Sequence, residues 1–317
     1  MKFSILIFLL ILSGFGCVSQ DLQTGNEEVF VSEKNPQENQ PIANLYYDHV
    51  FFATSSDGIA WSLGEEAIAE HASVPDLLVL DKPITDYPAQ TIMSYFVDAS
   101  PKKEGEDERV AFITSDNNGE TWSDRVIVEL DREDLLPVDP SVIQLEDGSL
   151  RLYFFDWNAG RARGQKKPNI IYTFYSALST DGIHFTVEDA SLLSDTLMTD
   201  PEVVLFEGSW IMYFARHEGD DRGIWVATSD DGIHFADERK VDIFQGIPGA
   251  MVHNDEVYLY GCDQGGIPFA TSTNAFDFLS QNNSKPVLTV NGLLCDPSPA
   301  ILPNGEFGLV LKRHIED

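Results

Sequence analysis

Hydrophobic positions along the chain fall into strand-length segments separated by clusters of Asp, Asn and Gly. Two kinds of segment recur. One is a strand followed by a turn: FFATSSDGIAW (51–61), AFITSDNNGETW (111–122), YSALSTDGIHF (175–185) and WVATSDDGIHF (225–235), with FATSTNAFDF (269–278) as a degraded copy. The other is an apolar strand, a turn and a second apolar strand, as in VDPSVIQLEDGSLRLYFFD, TDPEVVLFEGSWIMYFAR, IPGAMVHNDEVYLYGCD and CDPSPAILPNGEFGLVLKR; VPDLLVLDKP…TIMSYFVD is the first of this kind. Interleaved, they supply four short strands per unit, the composition of a propeller blade. With the strands called A to D from the inside outward, the chain opens on a C–D pair, runs through complete A–B–C–D sets and stops after an A–B pair. Long exposed sheet edges invite mispairing, so the pair near 48–66 is expected to complete the blade whose A and B strands lie near 296–313. The expected fold is all-β: a five-bladed β-propeller of four-stranded antiparallel blades, the last closed by the N-terminal strands.

Ahead of the repeats, Lys2 precedes the apolar run Phe3 to Leu12, then Ser13-Gly14-Phe15-Gly16-Cys17. That run suits a signal peptide and is short for a membrane span. Its end resembles the lipobox of prokaryotic lipoproteins, with Gly16 and Cys17 in place and Gly14 where Leu is usual. The resemblance implies lipidation at Cys17 and a cell-surface or periplasmic location, with simple secretion as the alternative. Residues 18–44, rich in Gln, Asn, Glu and Ser, read as a flexible linker, and 45–317 as the propeller domain.

The formal charge of −32 changes the list of partners. Such a field repels nucleic acid and anionic membrane surfaces, leaving membrane contact to the lipid anchor. It suits solubility or a salty habitat, and Ca²⁺ in the central channel is a secondary reading. A monomer is expected. Of the three cysteines, Cys262 and Cys295 remain in the propeller domain, and the sequence leaves open whether they are bridged.

SSDGIAW and TSDNNGETW resemble the Asp box of sialidases and other propellers, S-x-D-x-G-x-x-W. There an Asp side chain bonds backbone N–H groups of its own turn and an aromatic packs beneath. Asp57, Asp116, Asp181 and Asp231 are therefore read as structural. Chemistry is expected on the opposite face, where A strands begin and B strands end. A-strand starts bring Asp76, Asp139, Asp200 with Glu202, Pro248-Gly249 and Asp296 to one funnel. B-strand ends rim it with Asp98, Asp156, Arg216 with His217, Asp263, and Arg313 with His314; His71 lies on the same face. Trp157, in a loop after strand B, is the candidate platform for a sugar ring. Carboxylates crowded at one axis must be protonated, cation-bound or paired, the condition that separates acid from base roles.

Five blades, starts such as VDPSV and TDPEV, and second strands ending in YF resemble the five-bladed glycoside hydrolases of the arabinanase/β-xylosidase and invertase/levansucrase groups. That resemblance implies a carbohydrate substrate, no required cofactor, and an Asp base, a tuning Asp and a Glu acid from successive A strands. Carried over, Asp76 is the base, Asp139 the tuning carboxylate, and Glu202 or Asp200 the acid. The sequence departs from the pattern at VPD, where DP is expected, and at Glu202, which follows a DP. A non-catalytic carbohydrate- or protein-binding propeller is the alternative, and a sialidase-like enzyme ranks third.

Overall fold

A computed structural model describes residues 45–158, 171–196, 198–217, 221–244, 246–263 and 265–315. The expected leader, the linker and Cys17 lie outside the described residues. The described chain opens on β1 (Asp48–Ser55) and β2 (Ser62–Ala69). Blade 1 is β3 (Ala72–Val79), β4 (Ile92–Asp98), β5 (Arg109–Ser115) and β6 (Val126–Ile127). Blade 2 contains β7 (Glu129–Leu130), β8 (Pro137–Gln144), β9 (Leu150–Asp156), β10 (Ile171–Ser179), β11 (His184–Val187) and the short β12 (Leu193–Thr196). Blade 3 is β13 (Met198–Phe206), β14 (Ser209–Arg216), β15 (Gly223–Ser229) and β16 (Ala236–Lys240). Blade 4 is β17 (Gly249–His253), β18 (Glu256–Tyr260), β19 (Phe269–Ser272) and β20 (Leu279–Ser280). The chain ends on β21 (Leu294–Ile301) and β22 (Phe307–His314), which join β1 and β2 in the order β2-β1-β22-β21. The register runs from Asp48 opposite His314 to Ser55 opposite Phe307, so the two ends of the domain close one sheet as the strand pattern predicts.

The core lies in the seams between blades, because each sheet is apolar on both faces. Tyr95 and Phe112 of blade 1 pack on Phe154 and Phe185 of blade 2, and Phe155 of blade 2 packs with Met212 and Phe214 of blade 3. Phe52 and Val310 of the closing blade meet Ile92 and Phe96 of blade 1. A buried tyrosine on a B strand then hydrogen-bonds the turn of the next blade. Tyr95 donates to Gly182 O (3.2 Å), Tyr153 to Gly232 O (3.0 Å), Tyr213 to Ala275 O (2.8 Å) and Tyr260 to Gly58 O (2.8 Å).

Those turns hold themselves as their sequence implies. Ile59 and Ala60 N–H donate to Asp57 Oδ1 at 2.9 and 2.8 Å, and Trp61 Nε1 donates to Gly58 O at 3.1 Å. Asp181 and Asp231 do the same in blades 2 and 3. The expectation for Asp116 is corrected: Asn117 Oδ1 accepts the Thr121 N–H at 3.0 Å and the Ser115 hydroxyl at 2.9 Å, while Trp122 Nε1 donates to Gly119 O. Asn117 stands two residues after Ser115 as Asp57 does after Ser55, so the amide, not the neighbouring carboxylate of Asp116, faces the loop. Asn274 fills the same place in blade 4.

Candidate functional site

Each of four A strands starts with a β-bulge, seen as a register shift against its B strand at Ser73/Asp76, Val138/Ser141, Thr199/Glu202 and Cys295/Ser298. The residue before the bulge proline has positive φ: 47° at Val74, 52° at Asp139, 55° at Asp200 and 52° at Asp296. Bulges re-aim side chains, and non-glycine residues in this region are uncommon and cluster where surrounding structure enforces them. The repeat sorts the A-strand starts into two rings. Val74, Asp139, Asp200, Ile247 and Asp296 line the channel mouth together with the prolines that follow them, and Glu202 reaches the same space from below. Two residues deeper, in register, come Asp76, Ser141, Glu202, Gly249 and Ser298.

The outer ring therefore brings together Asp139, Asp200 and Asp296, each from a different blade. The space they enclose with the prolines is about 20 Å³, room for a water molecule but not a sugar ring. A saccharide must approach from outside it. The charge of Asp200 bears on Asp139 at the mouth, and neighbouring carboxyls of this kind hold one proton between them. Burial, then the charges of Asp200 and Asp296, push Asp139 well above the usual carboxylate range. Burial also raises Asp200, but His217 and the hydroxyl of Thr199 outweigh it and leave this carboxyl low. Thr199 donates to Asp200 Oδ2, and His217 Nε2 lies 3.8 Å from the same oxygen. The shared proton thus rests on Asp139, and the two titrate as a pair.

Asp296 is 2% exposed. Lys312 Nζ lies 2.6 Å from its Oδ2, and apart from that ammonium neither carboxyl oxygen has a hydrogen-bond partner among the described residues. Burial raises Asp296 and Lys312 opposes it, leaving the group at about 6. The positive charge that the sequence reading allowed for Ca²⁺ is supplied at this point by Lys312. Among the described residues no group of three or more His, Cys, Asp or Glu is arranged to hold a metal ion.

The inner ring has a different job. Asp76 Oδ2 accepts the Val142 N–H of blade 2 at 2.8 Å, and its Oδ1 accepts the Ser298 hydroxyl at 2.9 Å. Ser141 Oγ accepts the Val203 N–H at 3.1 Å, Glu202 Oε1 the Ala250 N–H at 2.8 Å, and Ser298 Oγ the Leu77 N–H at 2.9 Å. Each of these side chains staples its A strand to the next blade. Gly249 interrupts the belt, since a Cβ there would fall 1.5 Å from Pro297 O. At that seam Cys262 and Cys295 form a disulfide with Cα atoms 4.8 Å apart. Burial lifts Asp76 to about 6 and Glu202 well above its ordinary value, the latter with help from the charge of Asp76. The geometry places both carboxyls in the belt, with Glu202 also lining the mouth to which Asp139, Asp200 and Asp296 are brought.

The rim residues divide in the same way. His217 joins the site through Thr199. Asp98 is fully buried and ion-paired with Arg125 and with Arg109 at 3.3 Å. Asp156 Oδ1 accepts the Leu136 and Asn158 N–H groups at 2.9 and 3.1 Å and so holds a loop. Arg216 turns outward to Asp195 at 2.8 Å and lies 4.4 Å over the Trp225 ring. Arg313 lies over Phe51 at 5.7 Å, on the opposite face of β22 from Lys312. His71 stacks on Tyr46 at 3.9 Å, its Nδ1 2.6 Å from Tyr46 O. Asp263 is exposed beside Cys262, and Trp157 has one ring face stacked on Tyr172 at 5.9 Å.

Lys312, Thr199 and Asp48 were not singled out from the sequence. A lysine in the otherwise apolar strand FGLVLKRH was the available signal for Lys312. Arg313 lies on the opposite face of the strand from Lys312, because neighbouring residues of a strand point opposite ways.

Against known proteins, the geometry has clear counterparts in fold. The GH43_1 enzyme from Xanthomonas citri, solved with xylose, superposes with a TM-score of 0.53 at 16% identity, covering 76% of this chain and 86% of that one. What the two share is the fold, a five-bladed β-propeller. A family 117 glycoside hydrolase from Zobellia galactanivorans gives 0.52 at 12% identity over 85% and 90% of the two chains. The α-L-arabinanase of Penicillium chrysogenum, solved with arabinobiose, gives 0.52 at 11% over 83% and 85%. No protein-family model matches the sequence, and no curated protein matches it either.

Proposed function

We propose that the protein is a glycoside hydrolase whose catalytic carboxylates are Asp296 and the Asp139–Asp200 pair. The observation that carries this reading is the division of charge at the mouth. One pair holds a proton beside an ionisable carboxylate whose buried oxygens meet only the Lys312 ammonium, the separation of acid from base that glycosidic cleavage uses. In this reading the pair donates its proton to the leaving oxygen while Asp296 takes one from the attacking water. His217 and Thr199 keep Asp200 ionised, which holds the proton on Asp139 until the glycosidic oxygen withdraws it. The substrate is an oligo- or polysaccharide. Xylose and arabinobiose bound to the structural counterparts make pentose-containing chains the first to try. Export, lipid tethering at Cys17 and a monomeric state belong to the same proposal and are supported by the sequence alone.

A binding propeller without catalysis is favoured by one observation: Val74 occupies the blade 1 place in the outer ring, so no carboxylate stands there. Incubating the 45–317 domain with a panel of xylo-, arabino- and galacto-oligosaccharides separates the two. Release of reducing sugar supports the hydrolase, and saturable binding without release supports the alternative.

A further inference from the structure

We infer that Lys312 is the positioning residue that keeps Asp296 ionised, and that pairing of the first and last strands is what installs it. The role assigned to Asp296 rests on the glycosidase reading; the electrostatic relation does not. Lys312 sits on β22 opposite Cys295, and Asp48 sits on β1 opposite His314. The ammonium lies 2.6 Å from Asp296 Oδ2 and 3.9 Å from Asp48 Oδ2. Asp48 is itself fixed: Ser73 Oγ donates to its Oδ2 at 2.8 Å, and His314 Nδ1 lies 2.7 Å from its Oδ1. A lysine reaching inward from the last strand is thus anchored by a carboxylate from the first, beside a catalytic carboxylate of the channel.

The other titratable groups facing Asp296 are the carboxyls of Asp200, Asp48, the protonated Asp139 and, in the same space, Glu202. A carboxylate this buried among like charges is protonated unless a cation stands beside it. Lys312 is that cation, and burial does not discharge it, because Asp296 and Asp48 hold its proton more strongly than burial expels it. Asp296, kept ionised but otherwise without hydrogen-bond partners, is left able to accept a proton from water. Arg313 cannot substitute, since it lies on the other face of the strand.

The test is a side-chain ¹³C NMR titration of Asp296, its signal identified by loss in Asp296→Asn. Lys312→Met is expected to raise the Asp296 midpoint by about one pH unit or more, the effect of removing an adjacent opposite charge. Lys312→Arg should hold it near the wild-type value. Asp48→Asn removes a like charge and should lower it. An unchanged midpoint in Lys312→Met, or a shift of the same sign in both, overturns the inference, because general loosening of the site has no reason to reverse sign. Should Lys312→Met fail to fold, Lys312→Gln decides on the same terms: a raised midpoint supports the relation and an unchanged or lower one refutes it. With a cleaved glycoside, the acidic limb of kcat/KM should rise with the Asp296 midpoint in Lys312→Met, and a limb that stays put removes Asp296 as base. If no glycoside is cleaved, the glycosidase reading fails while the titration still decides what Lys312 does.

Discussion

Asp76 and Asp139 both stand beside a proline at the start of an A strand, yet two residues of register separate their roles. Asp139 precedes its proline, at the positive-φ position that turns a side chain into the mouth. Asp76 follows its proline and reaches across to the Val142 N–H. Asp76→Asn keeps an amide oxygen for that N–H and an amide N–H for the Ser298 oxygen, so the fold and any turnover should persist. Asp76→Ala leaves a buried N–H without its acceptor and should cost about 1–3 kcal/mol in denaturant unfolding. Equal loss of stability in the two variants would contradict the staple. The aspartates and their shared face were readable from the DP repeats. Which ring each occupied was not, because it depends on a bulge whose position the one-dimensional pattern does not mark. The reach of Glu202 to Ala250 was hidden for the same reason.

At the scale of elements, the strand repeat was legible nearly to the register because each blade restates the same alternation, and the unmatched pairs at the ends left one economical closure. The turns were legible in type but not in detail, as Asn117 in place of Asp116 shows. Asn117→Ala should lower the melting temperature measurably while Asp116→Ala leaves it unchanged, since the former removes the acceptor of the Thr121 N–H; the reverse order would restore the original assignment. The tyrosine that bridges four of the seams was not visible as such, because a tyrosine in an apolar strand reads first as core. Tyr213→Phe preserves the ring and strands the Ala275 carbonyl. A loss of about 1–2 kcal/mol is expected for an unpaired buried acceptor, and no change would show that the hydroxyl contributes only packing.

The whole molecule carries opposed responses to pH. Asp76 and Asp296 are raised to about 6, and Asp139 and Glu202 well above their ordinary values, by burial. Their raised values mean that the folded state binds protons more tightly than the unfolded chain, so this stabilisation is present at low pH and is lost as pH rises through about 6. Asp181, Asp231, Asp98 and Asp200 are lowered instead and protect the fold above about pH 4, losing that contribution on further acidification. The melting temperature should therefore peak near pH 4 to 5 and decline as pH rises through about 6, with Glu202→Gln flattening the decline. A steady rise from pH 5 to 8 would show that the buried carboxyls are ionised in the fold at no cost.

The most direct measurement of the central claim compares the two rings on one substrate. Initial rates of reducing-sugar release from the oligosaccharide panel are recorded for the wild type and for Asp76→Asn, Asp139→Asn, Asp200→Asn and Asp296→Asn, with folding checked by circular dichroism. The account predicts turnover by the wild type and by Asp76→Asn, and losses of about 10²-fold or more in each outer-ring variant, the usual scale of general acid–base catalysis. Turnover that survives Asp296→Asn but vanishes in a folded Asp76→Asn would contradict it.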